Sequence, residues 1–335
     1  MPSVPPELSV AVVVPALNEA ENISGLLDDC ARQSPPAREV VVVDAGSDDG
    51  TYELLVRRSL DWQALRVTRC PGAPPGAARN AGIAMTDLQY VATLDAGSRI
   101  GPSWLAALSA PLAEAPERVA VGVVVPDADT DFERAAGWFT VRAHKPEDRG
   151  GPLSGSFLPP GRNGYCFSKA AWSAVGGYPA ALAWGEDKTF LQSLRGAGHE
   201  VIVVPEAIVR WRPRGSLRAM YRQYERYGRG DALSGIDRQN EIVTLGLYAT
   251  GAALATRAWK GSAPATALLA CASAGYLAIF TMPARKALGD RAAWAWVPLI
   301  RLTVDLAKMK GFLLASLSRP AVKMARADVP ARDRR

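Results

Sequence analysis

The chain has 335 residues, 48% of them hydrophobic and 21% charged, with 39 Lys and Arg against 33 Asp and Glu. That composition excludes disorder and collagen-like repeats, and the absence of a charge-free apolar run of spanning length in the first 209 residues excludes a bundle of many membrane spans. The net charge of +6 is unevenly spread: residues 1–209 hold 17 basic and 25 acidic side chains, whereas residues 210–335 hold 22 basic and 8 acidic.

In the first hundred residues, short β-branched runs alternate with amphipathic stretches. Ser9–Val14, Glu39–Val43, Leu65–Thr68 and Tyr90–Leu94 predict strands buried on both faces. Asn18–Arg32 predicts a helix with Ile23, Leu26, Leu27 and Cys30 on one stripe and Glu19 and Glu21 in its first turn; helices follow at Thr51–Leu60 and Gly76–Met85. Strand–helix alternation with short links implies a mainly parallel sheet, whose ligands sit beyond the carboxyl ends of its strands. Residues 144–163, rich in Gly, Pro and charge, predict a mobile loop containing His144. A helix is expected at Lys169–Val175, another opening at Trp184-Gly-Glu186-Asp187 and running to about Arg195, a strand at Val201–Val204 and an edge strand at Ile208–Trp211.

Residues 210–229 contain seven Arg and one Glu, and from Ser216 they predict a helix with Arg218, Arg222, Arg226 and Arg229 along one side. Like charges at that spacing repel, so an anionic partner is expected; no nucleic-acid-reading module surrounds them. Ile242–Thr256 and Gly261–Ala284 carry no charge, and the second is long enough to span about 30 Å of hydrocarbon. In 292–318, Arg301, Asp305 and Lys308 share one side and leucines the other, the profile of a helix lying in a membrane interface. The expectation is membrane attachment through residues 240–318 and a basic tail. Cys30, Cys70, Cys166 and Cys271 form no C-x-x-C pair and have no neighbouring His, which argues for neutral thiols rather than disulfides or zinc. The first residues show no basic start and no apolar core of a signal peptide, so a cytoplasmic catalytic part is expected.

The predicted strands end in polar clusters: Pro15-Ala-Leu-Asn18-Glu19, Asp44-Ala-Gly-Ser-Asp48-Asp49 and Asp95-Ala-Gly97-Ser98, with Gly76-Ala-Ala-Arg79-Asn80 opening a helix between them. No G-x-G-x-x-G follows the first strand and no P-loop occurs, which removes the main support for dinucleotide and P-loop chemistry. A nucleotidyltransferase usually needs a basic Gly-rich loop after strand one, and 15–22 contains no Lys or Arg. An acid after a strand can hold a divalent ion bridging phosphates, and one at a helix start can serve as general base.

The segments PALNEAENI, VVVVDAGSDDGT, GAARNAGI, YVATLDAGS and GGYPAALAWGED resemble, in order, the motif set of family 2 glycosyltransferases of the GT-A fold. The resemblance covers roughly Ser9 to Pro205. It implies a GT-A catalytic domain over 1–230, a mixed but mainly parallel Rossmann-like sheet with flanking helices, followed by a helical membrane-associated region over 231–335. It further implies inverting transfer from a nucleotide sugar, with a UDP-sugar favoured. Pro15, Asn18, Glu19, Asp44, Asp48, Arg79, Asn80 and Asp95 would then meet the nucleotide sugar. Asp187 would be the general base, with Glu186 orienting the site. Asn163, Gly164, Trp184, Arg212, Arg214 and Arg218 would line the acceptor and diphosphate region. Asp95 would hold Mg2+ or Mn2+, although Gly97 replaces the second acid of the D-x-D motif and Ala45 stands where many relatives carry an Asp. The expected partners are an acceptor lipid or glycan and an anionic membrane, at the cytoplasmic face, with no nucleic acid. The broken D-x-D leaves a second reading open, a degenerate GT-A domain that binds without turnover.

Overall fold

A computed structural model of the chain describes residues 8–142, 150–153 and 158–318. The α/β part runs β1 (Val10–Ala16), α1 (Ile23–Ala31), β2 (Glu39–Asp44), α2 (Thr51–Asp61), β3 (Leu65–Arg69), α3 (Pro75–Met85), β4 (Tyr90–Thr93), β5 (Ser98–Ile100), α4 (Trp104–Glu114), β6 (Val119–Pro126), α5 (Asp131–Arg142), β7 (Gly151–Pro152), β8 (Tyr165–Ser168), α6 (Lys169–Ala174), α7 (Glu186–Gly196) and β9 (Val201–Trp211). The helical part follows as α8 (Leu217–Ser234), α9 (Arg238–Trp259), α10 (Ala263–Leu288) and α11 (Asp290–Leu317).

The strands form one sheet in the order β3-β2-β1-β4-β8-β6-β9-β5, with β7 pairing β9. Strands β1 to β4 pair in parallel. Strand β8 enters antiparallel between β4 and β6, which makes the sheet mixed. Apolar side chains cover both faces: Val12 and Val14 meet Ile23, Leu26 and Leu55 from α1 and α2, and Val13 and Val41 meet Ala78, Ile83 and Phe190 from α3 and α7. Helix α3 lies flat on the sheet because position 82 is glycine; a Cβ there would sit 2.6 Å from Val13 Cγ1. That close approach brings Arg79, one turn earlier, over the ends of β1 and β4.

Several expectations are corrected. The helix placed at Asn18–Arg32 begins only at Ile23, and Asn18 adopts a left-handed conformation (φ 56). The reason is tertiary: the N–H groups of Asn18, Glu19 and Ala20 donate to Ser47 Oγ, Thr51 Oγ1 and Asp49 Oδ2, which locks them into a loop. Glu19 and Glu21 are therefore outside the helix. The strand expected at Ile208–Trp211 is the second half of a single β9 that pairs β6 in parallel across a register shift and β5 antiparallel. It is interior to the sheet, and the three-residue β5 is the margin. Strands β6 and β8 were not foreseen. His144 and half of the expected loop 144–163 lie outside the described residues.

The largest correction concerns α11. The side bearing Arg301, Asp305 and Lys308 faces inward. Asp305 Oδ2 accepts hydrogen bonds from Tyr248 Oη (2.9 Å) and Tyr276 Oη (2.6 Å), and Asp305 also pairs with Arg301. Lys308 Nζ reaches Asp231 (3.0 Å) and Glu241 (2.5 Å). These partners belong to α8, α9 and α10, so the charges tie the helices together, as buried charges must be paired to be tolerated. Leu299, Leu302, Leu306, Leu313 and Trp294 are left exposed, along with Leu268 and Ile279 of α10 and Ile242 and Val243 of α9. Helix α10 is long and apolar enough to cross a membrane by length and composition. Helices α8 and α11 meet at glycines: a Cβ on Gly228 would clash with the Lys308 backbone, and one on Gly311 with the Glu225 backbone.

Candidate active site

The site gathers at the carboxyl ends of β1, β2 and β4 and the start of α7. The β1–α1 and β2–α2 loops are zipped together, with Asn18 Oδ1 accepting from the Asp48 N–H (3.0 Å). Pro15 is half-buried and Asp48 exposed at this rim. Asp44 is fully buried, and its carboxylate accepts from the N–H groups of Gly46 and Ser47 and from Arg69 Nε (3.0 Å). Its oxygens thus shape the loop that was expected to present them to a base. The Asn80 carboxamide is likewise spent on the chain: it donates to Tyr178 O and accepts from Trp172 Nε1 and the Tyr178 N–H, bracing the turn ahead of α7.

Arg79 occupies the centre. It is 4% exposed, and it donates from Nη2 to Asp95 Oδ1 (2.5 Å) and from Nη1 to Glu186 Oε1 (2.7 Å), with its guanidinium 5.4 Å from the centre of the Tyr178 ring. Burial opposes its charge, yet Asp95 and Glu186 more than offset this and hold it protonated above its ordinary value. The arginine expected to grip the nucleotide therefore joins the acid after β4 to the acids of α7. Asp95 keeps solvent access, its side chain 42% exposed.

Glu186 is buried at the first turn of α7, where the helix dipole favours a negative charge. Burial nevertheless pushes its carboxyl up to about 7, with the Asp187 charge adding to the rise and Arg79 opposing it. Asp187 is half-buried; Oδ2 accepts from the Gly161 N–H (2.5 Å) and Oδ1 from the Lys188 N–H (2.7 Å). A carboxylate held by backbone donors at a helix start is of the kind that can take a proton from a hydroxyl.

The missing acid of Asp95-Ala-Gly97 has a neighbour that fills its place. A Cβ on Gly97 would lie 3.5 Å from Glu19 Oε2 and 3.7 Å from Oε1, so the glycine leaves room for a carboxylate arriving from the β1 loop. Burial raises the Glu19 carboxyl above its usual range; the Asn22 hydrogen bond and the Arg214 charge oppose this, and the Asp95 charge adds to it. Among the described residues no group of three or more His, Cys, Asp or Glu forms a ready metal cage. Asp95 and Glu19 together nonetheless fit a hard cation that keeps waters and takes oxygens from a diphosphate.

The arginines after β9 separate. Arg214 is exposed and its charge reaches Glu19, whereas Arg212 pairs with Asp129 (2.8 Å) and Glu133 (3.2 Å) at the start of α5. Arg218 lies with Tyr221, Arg222 and Lys310 in a groove between α8 and α11. Trp184 braces the α7 start against α8, since a Cβ on Gly230 would meet it at 2.9 Å. Gly164 (φ 76) follows the 3-10 turn Gly161–Asn163; the Asn163 side chain is outside the described residues. Sequence reasoning missed Arg162 in that turn. Its signal was an arginine between glycines and prolines with no acid within four residues.

Residues 11–171 match the model of Glycosyl transferase family 2. The succinoglycan biosynthesis protein ExoA of Rhizobium meliloti (strain 1021) is 26% identical over 300 residues, covering 86% of this chain and 90% of its own. The mannosyltransferase PcManGT from Pyrobaculum calidifontis, solved in complex with GDP-Man and Mn2+, superposes with a TM-score of 0.67 at 21% identity, over 92% of this chain and 87% of its own. GalNAc-T7, solved with UDP, GalNAc and Mn2+, superposes at 0.50 and 17% identity, over 62% of this chain and 43% of its own. At such identities the structures speak for the fold, a mixed sheet with flanking helices of the GT-A kind. The motifs, the family match across β1 to α6 and the likeness to ExoA over nearly the whole chain mark residues 11–171 as a family 2 glycosyltransferase domain.

Proposed function

We propose that the protein transfers a sugar, with inversion, from a nucleoside-diphosphate sugar to a hydroxyl of a lipid or lipid-linked acceptor at the cytoplasmic membrane face. The observation that carries this reading is the Asp95–Arg79–Glu186 bridge with Asp187 beside it. One buried guanidinium fixes the donor-side acid and the acceptor-side acids in a single cleft over the strand ends. The acceptor hydroxyl gives its proton to Asp187 as its oxygen attacks the anomeric carbon. The bond from that carbon to the diphosphate breaks, and the nucleoside diphosphate leaves. Arg79 and Glu186 keep Asp187 and Asp95 in register. Asp95 and Glu19 would hold Mg2+ or Mn2+, which when bound supplies charge neutralisation for the diphosphate. Two relatives of the same fold were solved with nucleotides and Mn2+, GDP-Man in one and UDP in the other, which supports a nucleotide-sugar donor and a divalent ion; a UDP-sugar is the first candidate.

The exposed leucines of α10 and α11 and the basic α8 support an anionic membrane as the surface that holds the enzyme, and hence a lipid-bound acceptor. A non-catalytic binding role finds no support in a cleft whose acids are this closely held.

Asp187→Asn should lower turnover by about 100-fold or more while nucleotide affinity stays near native, because only the proton acceptor is removed. Retained turnover would eliminate Asp187 as base. A thermal-shift panel of UDP-, GDP- and dTDP-sugars with and without Mn2+ identifies the donor.

A further inference from the structure

Among the described residues, Arg162 is a buried cation without a carboxylate partner. It is 9% exposed, and its Nε has no hydrogen-bond partner among the described residues. No ion pair reaches it among those residues; its guanidinium instead lies 5.1 Å from the centre of the Trp211 ring. Every other buried charge in the cleft and the helical region is matched: Arg79 by Asp95 and Glu186, Lys308 by Asp231 and Glu241, Asp305 by Arg301. A buried charge left unpaired is costly, so its retention points to a ligand that completes it.

Its position says where that ligand lies. Arg162 belongs to the turn Gly161–Asn163, whose first residue donates its N–H to Asp187. The charges of Arg162 and Asp187 both act on the Tyr227 hydroxyl of α8. The guanidinium thus belongs to the neighbourhood of the acid that would activate the acceptor. A planar guanidinium over an aromatic ring, with an Nε–H that has no partner among the described residues, suits phosphoryl oxygens.

We propose that Arg162 binds a phosphoryl group in the cleft, carried either by the departing nucleoside diphosphate or by a phosphate-linked acceptor. The assignment rests on the glycosyl-transfer reading above. The test uses the full-length chain in mild detergent and calorimetric titration of native protein, Arg162→Gln and Arg162→Lys. The probes are UDP and GDP against uridine and guanosine, and farnesyl phosphate against farnesol. Arg162→Gln should weaken UDP or GDP, or farnesyl phosphate, by about tenfold or more, as expected for a lost charge-assisted bond. It should leave the phosphate-free probes unchanged, and Arg162→Lys should recover part of the loss. A loss confined to the nucleoside diphosphates identifies the leaving group; one confined to farnesyl phosphate identifies the acceptor. Without ligand, Arg162→Gln should melt at or above the native temperature, since it removes an unpaired charge. Unchanged affinity for both phosphate classes overturns the proposal, and a lowered ligand-free melting temperature alongside it would mark Arg162 as a structural prop. Native protein that binds no nucleotide and releases none from any nucleotide sugar would instead overturn the glycosyl-transfer reading.

Discussion

Glu186 carries the most informative ionisation in the molecule, because burial and the adjacent Asp187 raise its carboxyl from 4.5 to about 7. A group whose folded pKa lies above its unfolded value contributes stability that is fully present below about 4.5 and lost as pH rises through about 7. Glu186→Gln should therefore flatten the fall in stability between these values, by up to about 3 kcal/mol at neutral pH, measured as denaturant midpoints across that window. An unaltered pH dependence would place the titration elsewhere. Arg79 explains why Glu186 tolerates burial at all, since its guanidinium is shared between Glu186 and Asp95. Outside the site, His199 takes a structural place, with Nδ1 2.7 Å from Glu117 O. Cys30 and Cys166 are buried thiols pushed up to about 12 by desolvation, in keeping with the neutral thiols expected, whereas Cys271 is exposed on α10.

Among the elements, the α8–α11 contact couples the arginine-rich helix to the C-terminal helices. Ser216 caps α8 through its hydroxyl, which accepts from the Ala219 N–H. Of the stripe expected of it, Arg218, Arg222 and Arg226 are exposed while Arg229 is half-buried and pairs with Glu225 (2.8 Å); Tyr221, Tyr224 and Tyr227 turn toward α5 and α11. The two backbones approach so closely that Gly311→Ala must displace one helix. Overpacking of that kind costs about 1–3 kcal/mol, so the variant should melt several degrees lower and expose α8 to limited proteolysis. Native-like melting would show that the contact yields without loss. The cluster of Asp305, Arg301, Tyr248 and Tyr276 gives α9, α10 and α11 a polar seam that apolar packing alone would not specify.

For the whole molecule, most of the large apolar side chains left exposed belong to α9, α10 and α11. Helix α11 turns Arg301, Asp305 and Lys308 inward and leaves Leu299, Leu302, Leu306 and Leu313 exposed. The full-length protein should float with vesicles containing anionic lipid, and Leu268→Lys with Ile279→Lys should abolish flotation, since each charge in hydrocarbon costs about 2.5–3.5 kcal/mol. Equal flotation of that double variant would remove α10 as the attachment element.

The local sequence determined the strands β1 to β4, helices α2, α3 and α7, the arginine stripe of α8, and the acids Asp95, Glu186 and Asp187 with their places at strand and helix ends. Hydrophobic period and turn chemistry act over a few residues and are written in the chain. The tertiary structure alone decided that β8 inserts antiparallel beside β4, that the Asn18–Ala20 N–H groups are taken by the β2–α2 loop, and that Asp44 and Asn80 are consumed internally. It also decided that Glu19 stands where Gly97 lacks a side chain, that Arg79 bridges two acids, and that Arg162 has none among the described residues. Most of these depend on partners distant in the sequence, 107 positions away for Arg79 and Glu186, and on which face of a helix the rest of the fold leaves open. Periodicity showed that α11 has a charged side and an apolar side; only the packing of α8, α9 and α10 against it decided which side meets the surroundings.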